Sequence, residues 1–352
     1  MNKQARLVSL LAITALAITG CTAGPSASPT PTVTKPVKTY VYAPLTGARY
    51  EAGTNPALDG PSVACKIDNL GVARPQVNLN QTDMVFDELV EGGLTRLVAV
   101  WHSRMPEQVG PVRSIRPMDP DIVSQFGGIV CYSGGQLKFV KLMQATSVFN
   151  ANETEEQGKG TFARATDREA PHNVIVNVAK LQQAHAELAP PQKGFFFAPI
   201  AEQATAAQTG IAVDKFKVYF PSALAEWAPS ADGTRWLRTQ DGAPHMDIVD
   251  GKQISAKNVV VLQVRIDRKY GHVPKTTMVD SGKAWVFTGG KYVQATWSKA
   301  SQTAPIFIKD AAGQDILLAR GNTWVELMPM APEGSLKITE SAVQPTPKPT
   351  QN

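Results

Sequence analysis

Between residue 45 and about residue 200 the apolar positions fall in short runs whose period changes from two to three or four. Residues 62–67 (SVACKI) read as a strand ending at Asp68. Residues 82–90 (TDMVFDELV) have helical spacing: Val85, Phe86, Leu89 and Val90 fall on one side, and Asp83, Asp87, Glu88 and Glu91 on the other. Gly92-Gly93 would stop that helix. Strands are predicted over 95–102 and 128–132, with short helices over 120–126 and 135–145. Residues 173–176 read as a further strand, after which Asn177 would cap a helix running to 188. Such alternation predicts an α/β domain with a mixed, largely parallel sheet over 44–200. From 210 to 330 the pattern changes to β-rich runs at 216–220, 234–237, 259–266, 284–288, 292–297, 306–308 and 323–327. Gly289-Gly290 is a two-residue hairpin signal between two of them. This region is expected to be a β-rich, mostly antiparallel domain.

The two ends read differently. Lys3 and Arg6 precede an apolar stretch over 7–20, 14 residues long, which is too short to span a bilayer. It has the flanks and length of a signal-peptide core. It ends in Ile18-Thr19-Gly20-Cys21, and a small residue directly before a cysteine resembles the lipobox of bacterial lipoproteins. In such proteins the cleaved chain starts at the cysteine, here Cys21, which carries the membrane-anchoring lipid, palmitate among the expected acyl chains. The alternative is a secreted protein with a chance cysteine. Residues 21–43 are rich in Pro, Ser and Thr and read as an extended tether. Residues 331–352 read as a disordered tail.

The formal net charge of +5 is small, and the basic residues are scattered; loss of Lys3 and Arg6 with the leader would lower it by two. No basic run points to nucleic acid. Three cysteines are too few for a disulfide framework. Cys65 and Cys131 lie in apolar strands and could be buried thiols or, in an exported protein, a disulfide if their strands are neighbours. No GxSxG, HxxxH, CxxC or phosphate-loop pattern occurs, so neither metal nor cofactor is expected. Gly134-Gly135 before a helix is a weak anion signal.

Chemistry-bearing residues are densest over 68–119. Asp68, Asn69, Arg74, Asp83, Glu88, Glu91, Arg96, Arg113, Ser114 and Arg116 are candidate ligand-binding residues. Acidic residues four apart on one helix face repel, so cations should stand opposite, and Arg74, Arg96, Arg113 and Arg116 are nearest in sequence. Two readings stay open. The charges could be an ion-pair network that fixes loops, or a polar pocket at the strand ends where open α/β sheets hold ligands. As acid–base candidates the chain offers Asp68, Glu88, Glu91 and His172. His245 and Asp247 could share one side of a strand, and His102, His185 and His272 read as ordinary structural residues.

IDNLGVARPQVNLNQTDMVFDELVEGGLTRLVAVW, then GPVRSIRPMD and REAPHN, then DGAPHMDIVDGKQISAKNVVVLQV and GNTWVELMP, resemble the YerB-like lipoprotein family over about residues 44–330. The resemblance implies a tethered bacterial surface protein with two domains of unknown function. It supplies no catalytic residues; Cys131 departs from the expected pattern and leaves its redox state open. The expected protein is a lipid-anchored module on the extracytoplasmic face of the cell membrane. It would bind a cell-wall glycan, an anionic ligand or an envelope protein. The alternatives are a hydrolase or transferase acting on a wall polymer, and a non-catalytic scaffold for a membrane partner. A glycan binder would line a groove with aromatics such as Trp101, Trp285 or Trp297.

Overall fold

The computed structural model of the protein describes residues 38–342. The leader over 1–20, Cys21, the tether up to residue 37 and the last ten residues lie outside them. The fold opens with a hairpin, β1 (Tyr40–Tyr42) against β2 (Arg49–Glu51). The final residues assigned to the tether are therefore a strand: the Tyr-Val-Tyr sequence favours extended pairing over the polyproline habit before it.

One mixed sheet dominates. Its strands are β3 (Val63–Asp68), β4 (Met84–Leu89), β5 (Thr95–Trp101), β6 (Ile129–Tyr132) and β7 (Phe149–Asn152) from the first half. From the second half come β8 (Ile211–Phe220), β9 (Ala223–Pro229), β10 (Trp236–Gln240), β11 (Asn258–Val264), β12 (Ser281–Thr288), β13 (Lys291–Ser298), β14 (Thr323–Pro329) and β15 (Ser335–Glu340). The main path runs β10-β9-β8-β13-β12-β11-β14-β4-β5-β3-β6-β7, with β15 pairing β8. The two sequence regions meet where β14 lies parallel to β4, with Glu326 opposite Asp87. β15 falls inside the stretch expected to be a disordered tail; alternating Leu336 and Ile338 pack on the core and hold it.

The α/β expectation holds only in its mixed sheet. Strand makes up 41% and helix 13% of the described residues, and the first half places three short helices among its strands, α1 (Asp119–Val123), α2 (Leu137–Gln144) and α3 (Val178–Ala184). Asn177 caps α3 by accepting the Lys180 N–H at 2.8 Å.

The predicted helix over 82–90 is instead β4, a strand with both faces buried. Val85 and Leu89 point into one hydrophobic cluster, and Met84 and Phe86 into the other. A strand covered on both sides loses the alternation that marks a half-buried one, and its apolar residues then mimic a helical stripe. Gly92 and Gly93, with φ of 72° and 74°, turn the chain into β5.

The sheet curls so that β8–β10 fold over its own face: Trp227 of β9 meets Trp324 of β14 edge-on at 5.4 Å, and Phe216 of β8 stacks on Phe287 of β12 at 3.6 Å. On the same side Cys65 of β3 and Cys131 of the parallel β6 are register partners, Cα atoms 4.5 Å apart, and form a buried disulfide.

Candidate functional site

β3 and β4 end, and β5 begins, along one rim of the sheet. Arg96 of β5 is the register partner of both Asp68 and Glu88, so the three side chains share a face. Lys66, two residues before Asp68, points the same way. Its ammonium is fully buried, pairs with Glu88 and donates to Asp119 Oδ1 at 2.8 Å. Burial lowers the Lys66 amine to about 8, against the pull of Asp119. Asp119 Oδ2 accepts the Arg116 N–H at 2.5 Å, which fixes the turn carrying Arg116.

Above this layer, buried Asp68 accepts the His172 Nδ1–H at 2.6 Å and faces Arg113 Nε at 3.1 Å on the same oxygen, Oδ2. Its other oxygen accepts the Leu70 N–H at 3.1 Å. The carboxylate therefore selects the Nδ1–H tautomer and leaves Nε2 of His172 as the acceptor. The loop bearing His172 is fastened to the β3–β4 connection by Arg168, which donates to the carbonyls of Ala73 at 2.7 Å and Pro75 at 2.5 Å. Arg113 secures it again by donating to the Pro171 carbonyl at 3.1 Å.

Arg96 is the odd charge. Arg116 donates to Glu91 at 2.7 Å, and Arg113 and Lys66 are paired as described. Arg96 is 9% exposed, has no ion-pair partner among the described residues, and donates only to the Ser114 carbonyl at 3.3 Å. Burial, and then the charges of Arg116 and Arg113, lower its guanidinium to about 10 against the pull of Asp68 and Glu91. Burial alone would raise Glu91, but the Arg116 hydrogen bond and charge outweigh it and hold that carboxyl below its ordinary value. Arg96 and Arg116 open onto a recess of about 310 Å³ whose lining includes Glu91, Thr95, Leu70 and His272. Two guanidiniums thus face one carboxylate in a concave site.

Asp68, Glu91, Arg96, Arg113, Arg116, His172 and the Ser114 carbonyl therefore come together, with Glu88 beneath them. Three candidates do not join. Arg74 leaves the rim to pair with Asp241 at 2.9 Å. Asn69 turns to the opposite face and donates to Thr95 Oγ1 and Gln240 Oε1. Asp83 sits at the far end of β4, where it accepts the backbone and hydroxyl of Ser103 at 2.6 and 2.5 Å, and burial raises it to about 6. Because residues 82–90 form a strand rather than a helix, its acidic residues are spread over two faces and two ends instead of one stripe.

The cations that answer β4 are not the arginines nearest in sequence. Glu88 is met by Lys66. Asp87, on the other face, is met at 2.5 Å by Arg238 of β10, which is fully buried between the rings of Trp227 and Trp324. Arg238 also donates to Gln240 Oε1 and to His245 Nδ1 at 2.8 Å, and His245 Nε2–H passes the chain to Gln76 Oε1 at 2.6 Å. Gln76 in turn donates to the Asp68 carbonyl at 2.9 Å, joining this network to the rim. Lys66 interrupts an apolar strand, and that is the signal that marks it; Arg238, within WLRTQ, carries no such signal. Asp247 accepts the backbone N–H groups of distant Asn78 and Asn80 and of neighbouring Val249, and so is not a ligand partner of His245.

A family described as "Protein of unknown function (DUF3048) N-terminal domain" matches residues 45–190, and its C-terminal counterpart matches residues 216–325. The chain belongs to the DUF3048 family. Among its relatives is the Bacillus subtilis (strain 168) protein named "Putative lipoprotein YerB", 26% identical over 298 residues that cover 82% of this chain and 86% of that one. The crystal structure of YerB from Bacillus subtilis superposes with a TM-score of 0.72 at 24% identity, covering 84% of this chain and 99% of that one. That likeness is one of fold; in this chain both matched regions contribute strands to one sheet. Among the described residues no helix of this DUF3048 protein is long and apolar enough to cross a membrane.

Proposed function

We propose that this protein is a lipid-anchored module of the cell envelope that binds an anionic group, such as the phosphate or carboxylate of a wall polymer, at the rim formed by β3, β4 and β5. The observation that carries the reading is Arg96: a nearly buried guanidinium with no ion-pair partner among the described residues, crowded by Arg113 and Arg116, at the wall of a recess. A ligand anion would supply the missing countercharge, and arginine forks suit both phosphate and carboxylate. The resemblance at Cys21 and the relative named as a lipoprotein support the anchor. The buried Cys65–Cys131 disulfide supports an oxidising, extracytoplasmic setting. Trp101 and Trp297 are buried, which argues against an aromatic glycan groove built on them.

Calorimetric titration of the full chain with sodium phosphate and with sodium glucuronate tests the reading. Binding of either anion is expected, and Arg96→Gln should weaken it by 1.5–3 kcal/mol, roughly the worth of a charged hydrogen bond. Equal affinity in the variant, or no binding of either anion, would reject it.

A second reading has one observation behind it. The His172–Asp68 pair holds an imidazole with a free Nε2 beside Arg113, an arrangement that could serve as a general base in a hydrolase or transferase. Release of product from a purified wall polymer, abolished by His172→Gln with the fold intact, is the result that would favour it.

A further inference from the structure

A second surface lies away from the strand-end rim and is built from three distant parts of the chain. The β1–β2 hairpin, residues 193–197 and residues 317–320 enclose a recess of about 260 Å³ lined by Tyr42, Pro44, Lys193, Phe196, Leu317 and Arg320, among others, and no carboxylate among the described residues lines it. Phe196–Phe197 and Leu317–Leu318 pair as short parallel strands, which fixes two of the three parts together. Gly47, at φ +64°, lets the hairpin turn lie against Phe197: a Cβ there would stand 2.6 Å from the ring. Tyr40, Tyr42 and Phe196 are 43%, 52% and 41% exposed. Arg49 stacks over Tyr40 at 4.2 Å, Arg320 over Tyr42 at 4.7 Å, and Phe307 extends the row beside Phe196 at 6.3 Å. Of the hairpin's three register pairs, one carries a carboxylate, Glu51 opposite Tyr40.

We propose that this aromatic and cationic face is a membrane-contact surface that seats the folded part on an anionic bilayer. The proposal rests on the anchoring assigned above to Cys21. Two observations choose the occupant. First, the chain enters the fold at β1, so this face lies at the point where the segment from Cys21 joins; even at full extension that length of chain keeps it within about 65 Å of an anchored Cys21. A contact too weak to form from solution is then strengthened by effective concentration. Second, rings with a polar edge, flanked by Arg49, Lys193 and Arg320, match the headgroup level of an anionic leaflet, where tyrosine bodies are partly buried and cations meet phosphates.

The test uses the full chain with Phe196→Trp, reconstituted with vesicles of phosphatidylcholine and phosphatidylglycerol (1:1) whose acyl chains are brominated. The unsubstituted chain, with its six tryptophans, provides the background. Circular dichroism of each variant checks the fold. Bromine is expected to lower the added emission at least twofold. Adding Arg320→Gln should weaken contact about fivefold, the factor equivalent to about 1 kcal/mol for one charge near such a surface. A chain that floats with the vesicles while the added indole stays unquenched overturns this proposal alone. A chain that does not float overturns the anchoring as well.

Discussion

Replacing Glu326 with glutamine should change how stability depends on pH. Glu326 is fully buried on β14, accepts the Trp227 Nε1–H at 2.8 Å, lies 3.6 Å from Arg238 Nε and stands beside Asp87 in register. Burial, and then the charge of Asp87, raise Glu326 to about 8, while burial also raises Asp87. At neutral pH Glu326 therefore keeps its proton, while Arg238 pairs with Asp87 beside it. The folded chain keeps a proton that the unfolded chain, with an ordinary glutamate, releases near pH 4.5. The sign follows: this contribution is fully present below about pH 4.5 and is lost as pH rises toward about 8. At about 1.4 kcal/mol per pKa unit the loss across the window is several kcal/mol. A glutamine amide carries a fixed N–H in place of that proton and still accepts from Trp227. Thermal melts of both chains between pH 5 and pH 8.5 provide the assay, each kcal/mol moving Tm by about 2–4 °C. The parent Tm should fall across this range, and Glu326→Gln should flatten the fall and melt higher at pH 8. Asp83, raised to about 6, gives a shallower fall of the same sign in both chains, so their difference isolates Glu326. Parallel pH profiles in the two chains would refute the reasoning.

Other perturbations have equally definite outcomes. The Cys65–Cys131 bridge spans 66 residues of sequence; chain entropy assigns it about 4 kcal/mol, so Cys65→Ala with Cys131→Ala should lower the unfolding free energy measured in urea melts by about that amount. Lys66→Met leaves Glu88 and Asp119 buried without their shared cation and should cost about 3–5 kcal/mol in urea melts, partly restored by Glu88→Gln. Asp83→Ala removes the acceptor for both donors of Ser103 and should destabilise by about 1–3 kcal/mol while leaving phosphate or glucuronate binding unchanged, because Asp83 lies at the far end of β4.

Most strands and short helices could be read from the chain because each has a local cause: the apolar run at the start of β3, the β-branched run of β11, Asn177 at the start of α3, Gly289-Gly290 in a hairpin where both take positive φ. β4 could not be read, since its apolar stripe was set by burial on two sides, a property of the assembled sheet. The error carried into the site. A helix would have put Asp83, Asp87, Glu88 and Glu91 on one face; a strand sends Asp87 to Arg238 and Glu88 to Lys66. The arginine-rich turn over 113–116 and the Asp68–His172 contact were within reach as a cluster of residue types. The solitary state of Arg96 was not, because it depends on which carboxylates the other cations have already taken.

Crystals of the protein soaked in sodium tungstate, a dense analogue of phosphate, test the rim most directly. Anomalous density is expected in the recess between Arg96 and Arg116, and absent from crystals of Arg96→Gln. Tungstate found only at surface lysines, with the recess empty in the parent chain, would contradict the assignment of this rim as an anion site.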